Sequence, residues 1–115
     1  MTLSAKQQLF TQLLGKLLCY IYTLPGYAAS IREVQRSKLQ AEANAAAGIG
    51  IAKSLHILSL AADIMLFRGN EFLTTAQDYK VLGDYWVTLH PSCRWGGNFT
   101  KPDGVHFSIE HEGRA

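Results

Sequence analysis

Cysteine is scarce: there are two, Cys19 and Cys93, in 115 residues. Two thiols cannot build a disulfide framework, and they lack the paired spacing of a thiolate zinc site. Both are expected to be free, Cys19 in a helical pattern and Cys93 in a loop. Charge is sparse as well, at 17% of residues, and nearly balanced at +2. No basic stripe concentrates it, so a nucleic-acid partner is not expected. Low hydrophobicity with high net charge would signal disorder, and a chain that is 48% apolar does not have it. Long hydrophobic runs are missing too. The nearest, Leu9 to Leu24, contains Gln12 and Lys16 and falls short of the roughly 20 apolar residues of a membrane span. Lys16 interrupts that run instead of preceding it, which does not suit a signal peptide. Membrane contact is therefore not expected, and the chain is expected to remain in the cytoplasm where it is made. There is no internal repeat, and the length suits one domain over residues 1–115.

What is present has clear periodicity. Phe10, Leu13, Leu14, Leu17, Leu18 and Ile21 recur at helical spacing and predict a helix over about residues 4–22, stopped by Pro25-Gly26. Ser30-x-x-Glu33 has the capping-box pattern and predicts a second helix running to about Ala47, closed by Gly48 and Gly50. Leu60 to Phe67, the turn Arg68-Gly69-Asn70 and Glu71-Phe72-Leu73 predict a β-hairpin. Thr74 or Thr75 can cap a third helix, with Tyr79, Leu82, Trp86 and Leu89 inward and Pro91 at its end. Residues 92–104 read as a loop, and Val105 to Glu110 alternate like a half-exposed strand. Helices first and strands around a third helix give an α+β class: a single compact domain with N-terminal helices packed on a small, mainly antiparallel sheet.

One residue breaks the pattern. Asp63 sits inside the apolar run 60–67, where a carboxylate is costly unless paired or bound to a metal. His56 lies seven residues before it. His106 lies in the last strand, with Asp103 three residues ahead across Gly104. Two histidines and one carboxylate are a familiar ligand set for catalytic zinc, which keeps a fourth position for water. Asp103 could then face that water without ligating and serve as base and acid. On spacing alone the bland alternatives stand beside this: a loop histidine bonded to backbone at 56, a salt bridge from Asp63 to Arg68 or Arg94, a half-exposed strand residue at 106. His90 and His111 have no carboxylate pattern around them.

The segment Ser54-Leu55-His56-Ile57-Leu58-Ser59-Leu60-Ala61-Ala62-Asp63 resembles the Ser-x-His-x-x-Gly-x-Ala-x-Asp motif of the LAS-type zinc peptidases. These comprise D-alanyl-D-alanine carboxypeptidases and dipeptidases and phage L-alanyl-D-glutamate endopeptidases. Asp103-Gly-Val-His106-Phe107-Ser108 resembles their acid-x-x-His-Phe element. Arg94-Trp95-Gly96-Gly97-Asn98-Phe99 resembles the tryptophan-glycine loop of small phage members. Arg36 falls where the family has an arginine, followed by a glutamine that Gln40 matches. The resemblance covers about residues 27–110, and the N-terminal helix, 1–25, lies outside it. Ser59 stands where the motif has glycine, and Glu33-Val34-Gln35 stands where glycine-tyrosine usually precedes the arginine.

The resemblance implies that His56, Asp63 and His106 bind Zn²⁺ and that Asp103 is the catalytic base. It implies that Arg36 holds the substrate carbonyl or carboxylate, and that Ser54 and Trp95 shape the substrate site. The activity implied is hydrolysis of an amide in the peptidoglycan stem peptide, with L-alanyl-D-glutamate as the first expectation and terminal D-alanyl-D-alanine as the second. A catalytically silent wall-binding or phage structural protein is the non-enzymatic alternative. The small size suggests a phage or prophage endolysin with a catalytic domain alone. Such a protein is expected to be monomeric and to need a holin to pass from the host cytoplasm to the wall.

Overall fold

The computed structural model describes residues 1–33 and 55–115. Helix α1 spans Leu3–Ile21. Thr2 caps it, the hydroxyl accepting from the Ala5 amide at 3.1 Å, which satisfies one of the orphan donors of the first turn. Phe10, Leu13, Leu14, Leu17 and Ile21 are buried as their spacing requires, while Leu18 packs at the margin of the core. No helix among the described residues is long and apolar enough to cross a membrane.

The helix expected to start at Ser30 does not start there. Ser30 and Glu33 belong to strand β1, Tyr27–Glu33. It pairs antiparallel with β2, Ala61–Arg68, from Tyr27 opposite Arg68 to Ile31 opposite Ile64. A local cap is worth about 1 kcal/mol, and a whole ladder with buried cross-strand pairs outweighs it. The remainder of that expected helix, with Gly48 and Gly50, lies outside the described residues.

The hairpin forms where the turn residues placed it. β2 returns through Gly69-Asn70 into β3, Glu71–Phe72, with Arg68 opposite Glu71. Gly69 takes a φ of 62° there, a conformation glycine adopts without steric cost. Thr75 and Asp78 then form a reciprocal capping box: the Asp78 amide donates to the Thr75 hydroxyl and the Thr75 amide to the Asp78 carboxylate. A 3₁₀ turn, Ala76–Tyr79, continues into helix α2, Lys80–Leu89.

Two expectations for the C-terminal third change. Cys93–Trp95 is a strand, β4, not loop, because it pairs with β5, His106–Ile109. Every residue of β5 is buried, since the strand is flanked on both sides. The order is β1-β2-β5-β4 with β3 beside β2, and each pairing is antiparallel. Both cysteines are free, Cys19 exposed and Cys93 buried. Burial pushes the Cys93 thiol up to about 11, so it carries little thiolate and is chemically quiet.

The helices cover one face of this sheet. Phe10 meets Trp86 edge-on at 5.9 Å, and Trp86 meets Phe107 edge-on at 6.0 Å. The Trp86 indole N–H donates to the carbonyls of Arg94 and Ser108, fastening α2 to β4 and β5 at once. The Tyr79 hydroxyl donates to the Leu73 carbonyl and accepts from the Leu66 amide. Strand residues alternate faces, so Ile64, Leu66, Phe107 and Ile109 look toward the helices. Asp63 and His106 look the other way.

Candidate metal centre

Three separate pieces of chain deliver the site. His56 sits on a 3₁₀ turn, Leu55–Leu58, just ahead of β2. That turn is tied to α1 by the Gln7 side-chain amide, which donates to the Leu58 carbonyl at 2.8 Å. It is closed by the Leu60 amide donating to Leu55. Ser59 links turn and strand with a φ of 56°. This is the left-handed region, which costs a residue with a Cβ roughly 1–2 kcal/mol. The resembled motif has glycine at that position, and the backbone shows why. Ser59→Gly is expected to stabilise the fold by about 0.5–1 kcal/mol, raising Tm by about 2–5 °C. Thermal unfolding checks this, and a lowered Tm would contradict it.

Asp63 and His106 face each other across the β2–β5 ladder. The His56 Nε2 lies 3.4 Å from Asp63 Oδ1, and His106 Nδ1 lies 3.7 Å from the same oxygen. The two imidazole rings meet edge-on, 5.5 Å between centroids. One ligand atom from each of the three residues falls within 4.8 Å of the other two. Such separations are long for hydrogen bonds. They suit donors around a common ion, since tetrahedral bonds of about 2.0–2.1 Å put ligand atoms about 3.3 Å apart. Both histidines are buried, at 4% and 8% exposure. Among the described residues, buried Asp63 Oδ1 and His106 Nε2 lack a hydrogen-bond partner, a costly state that an ion at the cluster would relieve at the carboxylate. Two nitrogens and one carboxylate oxygen fit zinc chemistry. The salt bridges considered for Asp63 do not form: Arg68 pairs with Glu71, and Arg94 donates to the backbone of Pro91 and Cys93.

Electrostatics agree with the geometry. Burial alone would push the Asp63 carboxyl up, and it is the largest single influence. The contacts and charges of His106 and His56 together outweigh it and hold Asp63 at about 2, below its ordinary 3.8. A depressed carboxyl contributes stability that is present above the unfolded value and lost as pH falls through the folded one. In the metal-free protein this group should therefore release about 2 kcal/mol between pH 4 and pH 2. Urea unfolding of the parent and Asp63→Asn in chelator should show their difference shrinking over that window; a constant difference would contradict the assignment.

The loop before β5 carries the remaining pieces. The Gly96 carbonyl accepts from the amides of both Phe99 and Asp103, and the Asp103 carbonyl accepts from the His106 amide. A Cβ on Gly96 would overlap the Asp103 carbonyl oxygen and stand 2.8 Å from the His106 Cβ, so only glycine lets these segments approach. Asp103 is exposed. Loss of water around its carboxyl, then the negative charge of Asp63, raise its pKa against the pull of His106 and His56. Its carboxyl thus feels all three cluster residues without being one of them. Trp95 turns inward: it is 6% exposed, its ring fills the space beside Gly83, and its N–H donates to the Gly104 carbonyl at 2.8 Å. It holds the loop that carries Asp103. Arg36, Gln40 and Ser54 lie outside the described residues.

His90 and His111 stay apart from the cluster; His90 accepts from the Ser92 amide, and His111 lies 2.8 Å from the Lys6 ammonium. Phe99, which closes the segment that resembles the tryptophan-glycine loop, had no role in the sequence reading; its ring packs on His106.

No protein-family model matches the chain, and no curated protein matches it in sequence. Among solved structures, the fold is similar to that of the L-Ala D-Glu endopeptidase ChiX from Serratia marcescens. The TM-score is 0.66 at 19% sequence identity, over 88% of this chain and 77% of that chain. The likeness is one of fold: a small antiparallel sheet with helices on one face and, in this chain, a His-Asp-His cluster able to hold a metal on the other.

Proposed function

We propose that this chain is a zinc-dependent peptidoglycan peptidase, a phage or prophage endolysin that cuts the stem peptide between L-alanine and D-glutamate. The observation that carries the reading is the convergence of His56, Asp63 and His106 from distant sequence positions onto one face of the sheet, with Asp103 beside them. The fold shared with an endopeptidase of that bond supports it.

His56, Asp63 and His106 would hold the ion. Zinc bound there supplies Lewis acidity, making water a nucleophile near neutral pH and stabilising negative charge on the scissile carbonyl oxygen. The chain's own residues do the rest. Asp103, ionised, takes a proton from the attacking water. It then hands that proton to the leaving amine, so one carboxyl serves as base and acid. The Gly96 carbonyl fixes the Asp103 backbone, and Trp95 fixes Gly104 beside it, so the carboxyl starts close to where it must act. By the resemblance, Arg36 holds the substrate carbonyl or carboxylate and Ser54 borders the site. The partner is the stem peptide; the protein acts as a monomer at the wall after a holin releases it from the host cytoplasm.

Mass spectrometry of purified sacculi after digestion tests the bond. Cleavage at L-alanyl-D-glutamate leaves L-alanine on the muramic acid and frees a peptide beginning with D-glutamate. Release of terminal D-alanine alone would make the chain a carboxypeptidase. Intact sacculi at full zinc loading would favour a silent wall-binding protein.

A further inference from the structure

A histidine that binds a metal through one ring nitrogen ordinarily gives its other N–H to a carboxylate, carbonyl or water, and that bond fixes the ring. His106 departs from this. Its Nδ1 faces Asp63, while its buried Nε2 has no hydrogen-bond partner among the described residues. Something else must hold the imidazole. The Phe99 ring lies against it, centroids 5.4 Å apart and tilted by 53°. The His56 ring closes one further side, and the Gly96 backbone crowds the His106 Cβ. Phe99 is itself anchored, its amide donating to the Gly96 carbonyl that also receives Asp103. It is half-buried.

We propose that Phe99 is a positioning residue: its ring, not a hydrogen-bond acceptor, holds His106 with Nδ1 turned toward Asp63. This rests on the metal-centre reading above. Packing restricts a side chain because rotamers that would overlap a neighbouring ring are unavailable. Removing that ring frees the imidazole to swing, and the donor cluster loses one of its three fixed atoms. The expected cost is that of losing an outer partner of a metal ligand, about 10–100-fold in metal affinity.

The test is zinc affinity by competition with a chromogenic chelator, for the parent, Phe99→Ala and Phe99→Leu, with kcat and KM on sacculi beside it. Phe99→Ala is expected to bind zinc at least about tenfold more weakly and to lose kcat with KM held. Phe99→Leu keeps the bulk and should recover zinc affinity to within about threefold. If Phe99→Ala does not fold, Phe99→Val takes its place, with the same loss expected. Parent-like zinc affinity in the alanine or valine variant would overturn the proposal. So would a rise in KM with kcat unchanged, which would make Phe99 a substrate contact, and so would a leucine variant as weak as alanine. The peptidase reading fails separately, if the zinc-loaded parent hydrolyses nothing while these affinity differences stand.

Discussion

His56→Ala is expected to empty the centre and abolish turnover together. The parent should keep about one zinc per chain through dialysis, as a site with three protein ligands does. The variant should keep almost none. Peptidoglycan hydrolysis should fall by at least about 10³-fold, because the whole activation of water goes with the ion. The size of the effect follows from the geometry. His56 Nε2 and His106 Nδ1 both approach the single oxygen Asp63 Oδ1, so no spare protein donor among these three can replace the missing nitrogen. His111→Ala is the matched control, since His111 packs beside Lys6 and outside the cluster; it should keep both zinc and turnover. Retention of zinc and native turnover in His56→Ala would remove His56 from the site.

Asp103→Asn should separate what His56→Ala removes at one stroke. Asp103 is outside the ligand cluster, so zinc content should stay at the parent's level. Turnover should fall by about 10²–10⁴-fold, the range for losing a positioned base. The pH profile carries a second signature. In the metal-free chain this carboxyl is raised through loss of surrounding water and the nearby charge of Asp63, and a zinc ion at the cluster would pull it down again. A base must be ionised, so the acid limb of kcat/KM should report protonation of Asp103. Asp103→Asn should abolish this limb along with the rate. An asparagine variant that digests sacculi at the parent rate would exclude Asp103 as the base.

How much of this was legible in the sequence depends on how local each cause is. The buried stripe of α1 and the Thr75–Asp78 cap were readable, because helical spacing and capping act within a few residues. Asp63 was readable as an anomaly, because a carboxylate in an apolar strand needs a partner. Spacing offered His56 and His106 as partners beside bland alternatives, and the family resemblance singled them out. Ser30-x-x-Glu33 misled, because a cap pattern cannot show that a strand more than thirty residues away will claim the same backbone. Cys93-Arg94-Trp95 misled for a similar reason: three residues make a strand only when β5 is beside them. The resemblance named Trp95 as shaping the site, and its packing beside Gly83 on α2 was not legible, since Gly83 lies on another element. Phe99 stood in the resembled segment without a role, since nothing in its own neighbourhood announces that His106 Nε2 lacks a hydrogen-bond partner among the described residues. Ser59 is the reverse case, a departure in sequence whose cost became visible only as a positive φ.

The central claim is that His56, Asp63 and His106 hold a zinc ion that drives hydrolysis of the stem peptide. Titrating zinc into chelator-stripped protein, while following release of soluble peptide from purified sacculi, tests it most directly. Hydrolysis should be absent in the stripped protein, rise with added zinc and level off near one ion per chain. Full hydrolysis without metal, or none once one ion per chain is bound, would contradict it.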